Sequence, residues 1–90
     1  MNYNRIETTG NFTAYYLDDH LNRTDGPAVE YNNGSKEYYL NGKLHRIDGP
    51  AVEFNDGEKA WFIHGKEYSE QSFNDYLSNL KIPEYFSQLN

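Results

Sequence analysis

Residues 21–43 and 44–66 are two copies of one 23-residue unit, identical at 13 of 23 aligned positions. Leu21-Asn22-Arg23-Thr24-Asp25-Gly26-Pro27-Ala28-Val29-Glu30 returns as Leu44-His45-Arg46-Ile47-Asp48-Gly49-Pro50-Ala51-Val52-Glu53. A fixed period of this size marks a supersecondary unit that stacks on copies of itself. Upstream, Ala14-Tyr15-Tyr16-Leu17 aligns with Glu37-Tyr38-Tyr39-Leu40, so a degenerate half unit precedes the two full ones. Atypical terminal units are expected where an array meets water.

Within each copy the pattern is that of a β-hairpin. Ala28–Tyr31 and Ala51–Phe54 read as short strands, followed by turns at Asn32-Asn33-Gly34 and Asn55-Asp56-Gly57. The return strands are Lys36–Leu40 and Lys59–Ile63, each ending in a second turn, Asn41-Gly42 or His64-Gly65. Asn-Gly and Asp-Gly between aromatic and β-branched runs favour hairpins, because these residues accept positive φ. Asp18-Asp19 occupies the same turn slot in the half unit. The Asp-Gly-Pro-Ala runs read as corners: Asp bonds nearby amides, Gly permits unusual φ, and Pro27 and Pro50 belong at strand starts. Turn chemistry accounts for Asp25 and Asp48 without a catalytic role.

After Lys66 the period changes. Ser69 is a candidate N-cap, Glu70 suits a first helical turn, and Phe73, Tyr76, Leu77 and Leu80 share one helical face. Pro83 opens a second short turn with Tyr85, Phe86 and Leu89 as apolar anchors. The expected fold is mainly β: an antiparallel meander of about five or six strands built from hairpin repeats over residues 12–68, with a helical cap over 69–90. The 90 residues make a single domain.

The core is thin. Leu, Ile, Val and Phe total 18 of 90 residues and mean hydropathy is −0.98, so the nine Tyr, five Phe and one Trp must supply much of the buried area. There is no Cys, hence no disulfide and no thiolate metal site. The net charge of −6 argues against direct binding to nucleic acid or an anionic membrane, both of which require a positive face. It suits a basic protein partner, including one that handles nucleic acid. The N-terminus lacks an apolar leader and no stretch is long enough to cross a bilayer, so the cytoplasm is the expected compartment.

Chemistry is hard to find. His20, His45 and His64 occupy different slots of the repeat, and no zinc-protease or zinc-finger spacing is present. The paired carboxylates, such as Asp18-Asp19, fall in turns or exposed strands rather than in a dry cleft. Gly26-Pro27 and Gly49-Pro50 lead into strands, not helix N-termini, and so are not phosphate loops. No cofactor is expected, and the chain reads as non-enzymatic.

The run Leu44–Glu53 followed by Asn55-Asp56-Gly57 and Trp61-Phe62-Ile63-His64-Gly65-Lys66 resembles the variant MORN-type repeats of bacterial, phage and large-virus proteins. The resemblance spans roughly residues 12–68. It implies a β-hairpin scaffold used for contact with proteins or lipids, and some bacterial relatives of that type are described as antitoxins.

Each unit carries two adjacent aromatics, and successive strand residues face opposite sides. Tyr15/Tyr16, Tyr38/Tyr39 and Trp61/Phe62 therefore place one aromatic row on each face. Which row is covered depends on register. A two-residue Asn33-Gly34 turn pairs Val29 with Tyr38, placing Val29, Tyr31, Tyr38 and Leu40 on the apolar side and Ala28, Glu30, Glu37 and Tyr39 on the other. A three-residue loop with a bulge at Gly34 sets Glu30 against Lys36 and exchanges the rows. The first separates apolar from polar better, at the cost of Glu30 beside Glu37, and is the expected register. On it Tyr16, Tyr39 and Phe62, flanked by Glu30, Glu37 and Glu53, form an open partner-binding ladder.

The sequence thus suggests a small acidic protein-binding module, phage- or mobile-element-encoded, that inhibits a host protein such as a CRISPR effector by surface docking. The alternatives are a self-assembling structural repeat, forming for example a homodimer, an antitoxin-like partner, and an acidic mimic of DNA.

Overall fold

The computed structural model describes residues 2–80. Ten short strands and one helix follow in order: β1 Arg5–Thr8, β2 Phe12–Leu17, β3 His20–Leu21, β4 Val29–Tyr31, β5 Lys36–Glu37, β6 Tyr39–Leu40, β7 Lys43–Leu44, β8 Val52–Glu53, β9 Lys59–Ile63, β10 Lys66–Tyr68 and α1 Glu70–Leu80. The main sheet runs β1-β2-β4-β5-β8-β9-β10, with β3 on the end of β2 and β6-β7 as a separate ribbon. Every pairing is antiparallel. The β-meander with a helical cap is therefore present. Its strands are more numerous and shorter than expected, because the return strand Lys36–Leu40 is interrupted at Tyr38.

Two kinds of turn alternate. Asp18-Asp19, Asn41-Gly42 and His64-Gly65 all have positive φ at both central residues, the two-residue geometry that matches strand twist. The other turns, Asn32-Asn33-Gly34 and Asn55-Asp56-Gly57, are three-residue loops. Gly34 N–H donates to the Tyr31 carbonyl at 3.0 Å, and Gly34 sits at φ 97°, where a side chain would be strained. Asn33 Oδ1 accepts the Ser35 N–H at 2.8 Å and locks the loop. The second copy repeats this with Gly57, Phe54 and Asp56.

That loop corrects the expected register. Val29 pairs with Glu37 and Glu30 with Lys36; in the second copy Val52 pairs with Ala60 and Glu53 with Lys59. The bulge sets opposite charges across from each other and removes the Glu30–Glu37 clash. It also moves Glu30 and Glu53 to the face opposite Glu37.

Successive two-residue hairpins are stitched together by a fixed set of bonds. Gly42 N–H donates to the Leu21 carbonyl and Arg23 N–H to the Tyr39 carbonyl; Gly65 to Leu44 and Arg46 to Phe62 repeat the pattern. The core is correspondingly thin: among the described residues, Ala14, Ala28, Val29, Ala51, Val52, Ile63 and Phe73 are the buried apolar ones.

Helix α1 begins where the next corner would be. Ser69 falls in the slot of Arg23 and Arg46 and caps the helix instead, its Oγ accepting the Ser72 N–H at 3.1 Å. Phe73, 3% exposed, and Leu77 border the same shallow cavity as Trp61 and Pro50, while Tyr68 packs on Tyr76 at 5.5 Å between ring centres. The helix thus covers Trp61, as the two corners cover Tyr15 and Tyr38. Ser69→Ala is expected to lower stability by about 1 kcal/mol, read as a lower thermal midpoint with unchanged strand content by circular dichroism. The turn expected at Pro83, with Tyr85, Phe86 and Leu89, and the Leu80 side chain lie outside the described residues.

Candidate functional site

The two faces of the sheet do different work. On one face each corner is built around an arginine. Arg46 Nε donates to Asp48 Oδ1 at 2.8 Å, and its Nη1 to the Pro50 carbonyl at 3.0 Å and Glu53 Oε2 at 3.1 Å. Its guanidinium lies over the Tyr38 ring, 3.9 Å from the centre. Arg23 repeats this with Asp25 (2.8 Å), the Pro27 carbonyl (3.2 Å), Glu30 (3.9 Å) and Tyr15 (4.0 Å). The hydrogen bond from Arg46 holds the Asp48 carboxyl below its usual range, and those from Arg23 and Asn2 do so for Asp25. Asp25 and Asp48 are therefore arginine anchors as well as turn residues.

Two histidines, which their repeat slots separate, meet in space. His45 and His64 stack with ring centres 4.2 Å apart, and His45 Nδ1 accepts the His64 backbone N–H at 2.9 Å. Asn22 does the same task one unit earlier, its Oδ1 accepting the Asn41 N–H at 2.8 Å. His45 is thus a hydrogen-bond acceptor for a hairpin turn. Burial, and then the charge of His64, lower its pKa, which favours the neutral ring the bond requires. No group of three His, Cys, Asp or Glu that could hold a metal ion occurs among the described residues.

The opposite face carries the aromatic row. Pairings across the sheet place Ala14, Val29, Glu37, Val52 and Ala60 in one central line. Tyr16, Tyr39 and Phe62 stand two residues further along their strands, and all are half-buried. On the other side of the line stand Phe12, Tyr31 and Phe54, Phe12 meeting Tyr31 edge-on at 6.1 Å between centroids. Two aromatic rows therefore flank a floor of alanine and valine with Glu37 at its centre.

Four of the six residues expected on one ladder stand together. Tyr16, Tyr39, Phe62 and Glu37 share this face, whereas Glu30 and Glu53 lie on the other, engaged with Arg23 and Arg46. The carboxylates that accompany the aromatics are Glu7, Glu37 and Glu67. Tyr16 donates to Glu7 Oε1 at 3.1 Å, and Glu67 lies across from Phe62. Glu37 Oε1 accepts from both Tyr31 and Tyr39, at 3.2 Å each. Burial, then the Glu37 charge, push the Tyr39 phenol up to about 12.

Comparing the two copies exposes a signal that single-strand reasoning misses. Tyr31, Glu37 and Tyr39 become Phe54, Ala60 and Phe62, so both hydroxyls vanish together with the carboxylate they bind. The substitutions are a set: a polar triad in one unit, an apolar triad in the next. Asn22/Asn41 and His45/His64 change together in the same way.

Between the two corners runs a groove of about 640 Å³ bordered by Arg23, Asp25, Tyr38, His45, Arg46 and Asp48. Its charges are satisfied by one another. By contrast, none of the ion pairs among the described residues reaches Glu37. No helix among the described residues is long and apolar enough to cross a membrane. No family model, curated protein or solved structure matches the chain.

Proposed function

We propose that this chain is a small, non-enzymatic, cytoplasmic binding module of the variant MORN type that docks on a basic protein through its aromatic, acidic sheet face. The observation that carries this reading is the joint placement of Tyr16, Tyr39 and Phe62 with Glu7, Glu37 and Glu67 on one face. Aromatics anchor interfaces because they bring large rigid area at low entropic cost, and surrounding carboxylates steer a basic surface toward them. Arg23 and Arg46 are each paired with carboxylates and stacked on a tyrosine of the opposite face, whereas Arg5 stands on the docking face itself, its guanidinium 4.0 Å from the centre of the Tyr16 ring.

The concrete form is inhibition of a host protein, such as a nuclease of a CRISPR or other defence system, by a phage- or mobile-element-encoded protein. Co-elution of the purified chain with a panel of nucleases and toxins tests it. A complex is expected with at least one basic member, weakened about tenfold or more by Tyr39→Ala and by Phe62→Ala. Failure to form any complex across a broad panel ends the proposal. Acidic mimicry of DNA instead predicts that Glu30→Lys and Glu53→Lys weaken the complex more than the aromatic truncations do, with steep salt dependence.

One feature favours self-assembly as a second reading. Among the described residues strand β1 is an open sheet edge, exposed at all four positions, with Ile6 52% exposed. Light scattering that finds only monomer at high concentration removes it.

A further inference from the structure

We propose that Tyr31, Glu37 and Tyr39 form a receptor for a lysine or arginine side chain of the partner, and that Phe54, Ala60 and Phe62 form an adjoining apolar subsite. The inference rests on the docking reading above and names the chemistry that the face selects.

Glu37 stands in the central line of the face between Val29 and Val52, both nearly buried, and is itself half-buried. Its neighbours across the sheet carry no positive charge. Lys36 faces the opposite side with Glu30 and Glu53. The described ion pairs bind their arginines to Asp19, Asp25, Glu30, Asp48 and Glu53. The carboxylate is oriented without being neutralised: both phenols donate to Oε1, and no hydrogen bond among the described residues engages Oε2.

A half-buried anion held by neutral donors attracts a cation more strongly than one in open water, because the local dielectric is lower. The Tyr31 and Tyr39 rings flank it from both sides of the floor and add cation–π attraction for a guanidinium or ammonium. Aromatic faces and one oriented carboxylate are what a basic side chain requires.

The second copy cannot do this. Phe54, Ala60 and Phe62 offer no acceptor at the corresponding place, and Phe54 is 47% exposed. The face therefore has one cation subsite and, two strands away, one apolar subsite. Two strand spacings put them about 10 Å apart. The fitting partner surface presents a basic side chain and an apolar side chain at that separation. In an extended segment, residues i and i+2 point the same way about 7 Å apart, and the reach of arginine covers the remainder.

The test is a titration of the ¹⁵N-labelled full chain with acetyl-Arg-Ala-Leu-amide, and with the same peptide carrying uncharged citrulline for arginine. The arginine peptide is expected to shift amides of residues 29–31, 37–39 and 52–54, and to bind roughly tenfold tighter than the citrulline peptide. Glu37→Gln keeps an acceptor for the phenols and should bring the two peptides to equal affinity. If that variant does not fold, the comparison on the unaltered chain still decides. Equal binding of both peptides on the aromatic face overturns the cation receptor and leaves the docking face standing. Shifts centred on Thr24–Gly26 and Ile47–Asp48, or no shifts at all, overturn the receptor, and the nuclease and toxin panel then judges the docking reading by itself.

Discussion

Replacing Arg46 with alanine is expected to cost about 2 kcal/mol of folding stability. The side chain is only 20% exposed and simultaneously satisfies Asp48, the Pro50 carbonyl and Glu53 while stacked on Tyr38. Its removal leaves the Asp48 and Glu53 carboxylates without their cation and a half-buried carbonyl without a donor. A domain of this size has roughly 5–14 kcal/mol in total, so the loss is a substantial share. Arg46→Lys should recover part of it at most, since an ammonium cannot fork to three acceptors while lying flat on a ring. Urea midpoints for the three proteins check this. An alanine variant within 0.5 kcal/mol of the original, about the effect of an ordinary surface change, would show that the corner holds together without its arginine. Gly49→Ala should act through the same residue, because a Cβ there would sit 3.0 Å from Arg46 Cζ.

The second large effect is acid destabilisation through His45. Its Nδ1 accepts the His64 N–H, a bond available only to the neutral ring. The folded pKa lies below the ordinary value of 6.5, first from burial and then from the neighbouring His64 charge. The folded state therefore binds fewer protons than the unfolded chain in that range. The stabilisation is complete above about 6.5, falls as the pH drops toward the folded pKa, and is fully lost below it. Protonation removes the acceptor and leaves the turn amide unpaired, so the denaturation midpoint should fall as the pH drops. The charged groups nearby are Arg23, Asp25, Arg46 and Asp48 around the groove, with His64 stacked on the ring. Both aspartates are held below the usual carboxylate range, so their titration is displaced from the histidine window. His45→Asn, the residue that serves one unit earlier, should flatten the dependence between pH 5 and 7, the range in which an unperturbed histidine titrates. Denaturation at several pH values decides; an equally steep loss in the asparagine variant refutes the assignment.

Much of the architecture was legible in the residues because its signals are local. Asn41-Gly42 and His64-Gly65 announce their turns through tolerance of positive φ, Ser69 announces the helix, and the 23-residue offset announces the stacking. Register was not legible, because Asn32-Asn33-Gly34 supports either a two- or a three-residue loop, and one residue of slip exchanges the faces. That slip reassigned Glu30 and Glu53 from the aromatic ladder to the arginine corners. The glycines of the Asp-Gly-Pro runs serve packing and not an unusual φ. Neither Gly26 nor Gly49 adopts positive φ; each is small because an arginine passes over it. Such packing contacts depend on where a long side chain returns, which no local pattern encodes. The paired substitutions between copies carried that information in the sequence all along.

The stitching of one hairpin to the next has a further consequence. Its bonds join positions 16 to 21 residues apart and do not depend on how many units precede or follow. The fold is thus a ruler whose length can be reset. Inserting another copy of residues 44–66 before the helix adds two strands to the main sheet, about 10 Å of plate. Each inserted unit brings its own arginine corner, while the helix still closes the final Trp61-type aromatic. Length would change in steps of one unit, and the ends would remain the same.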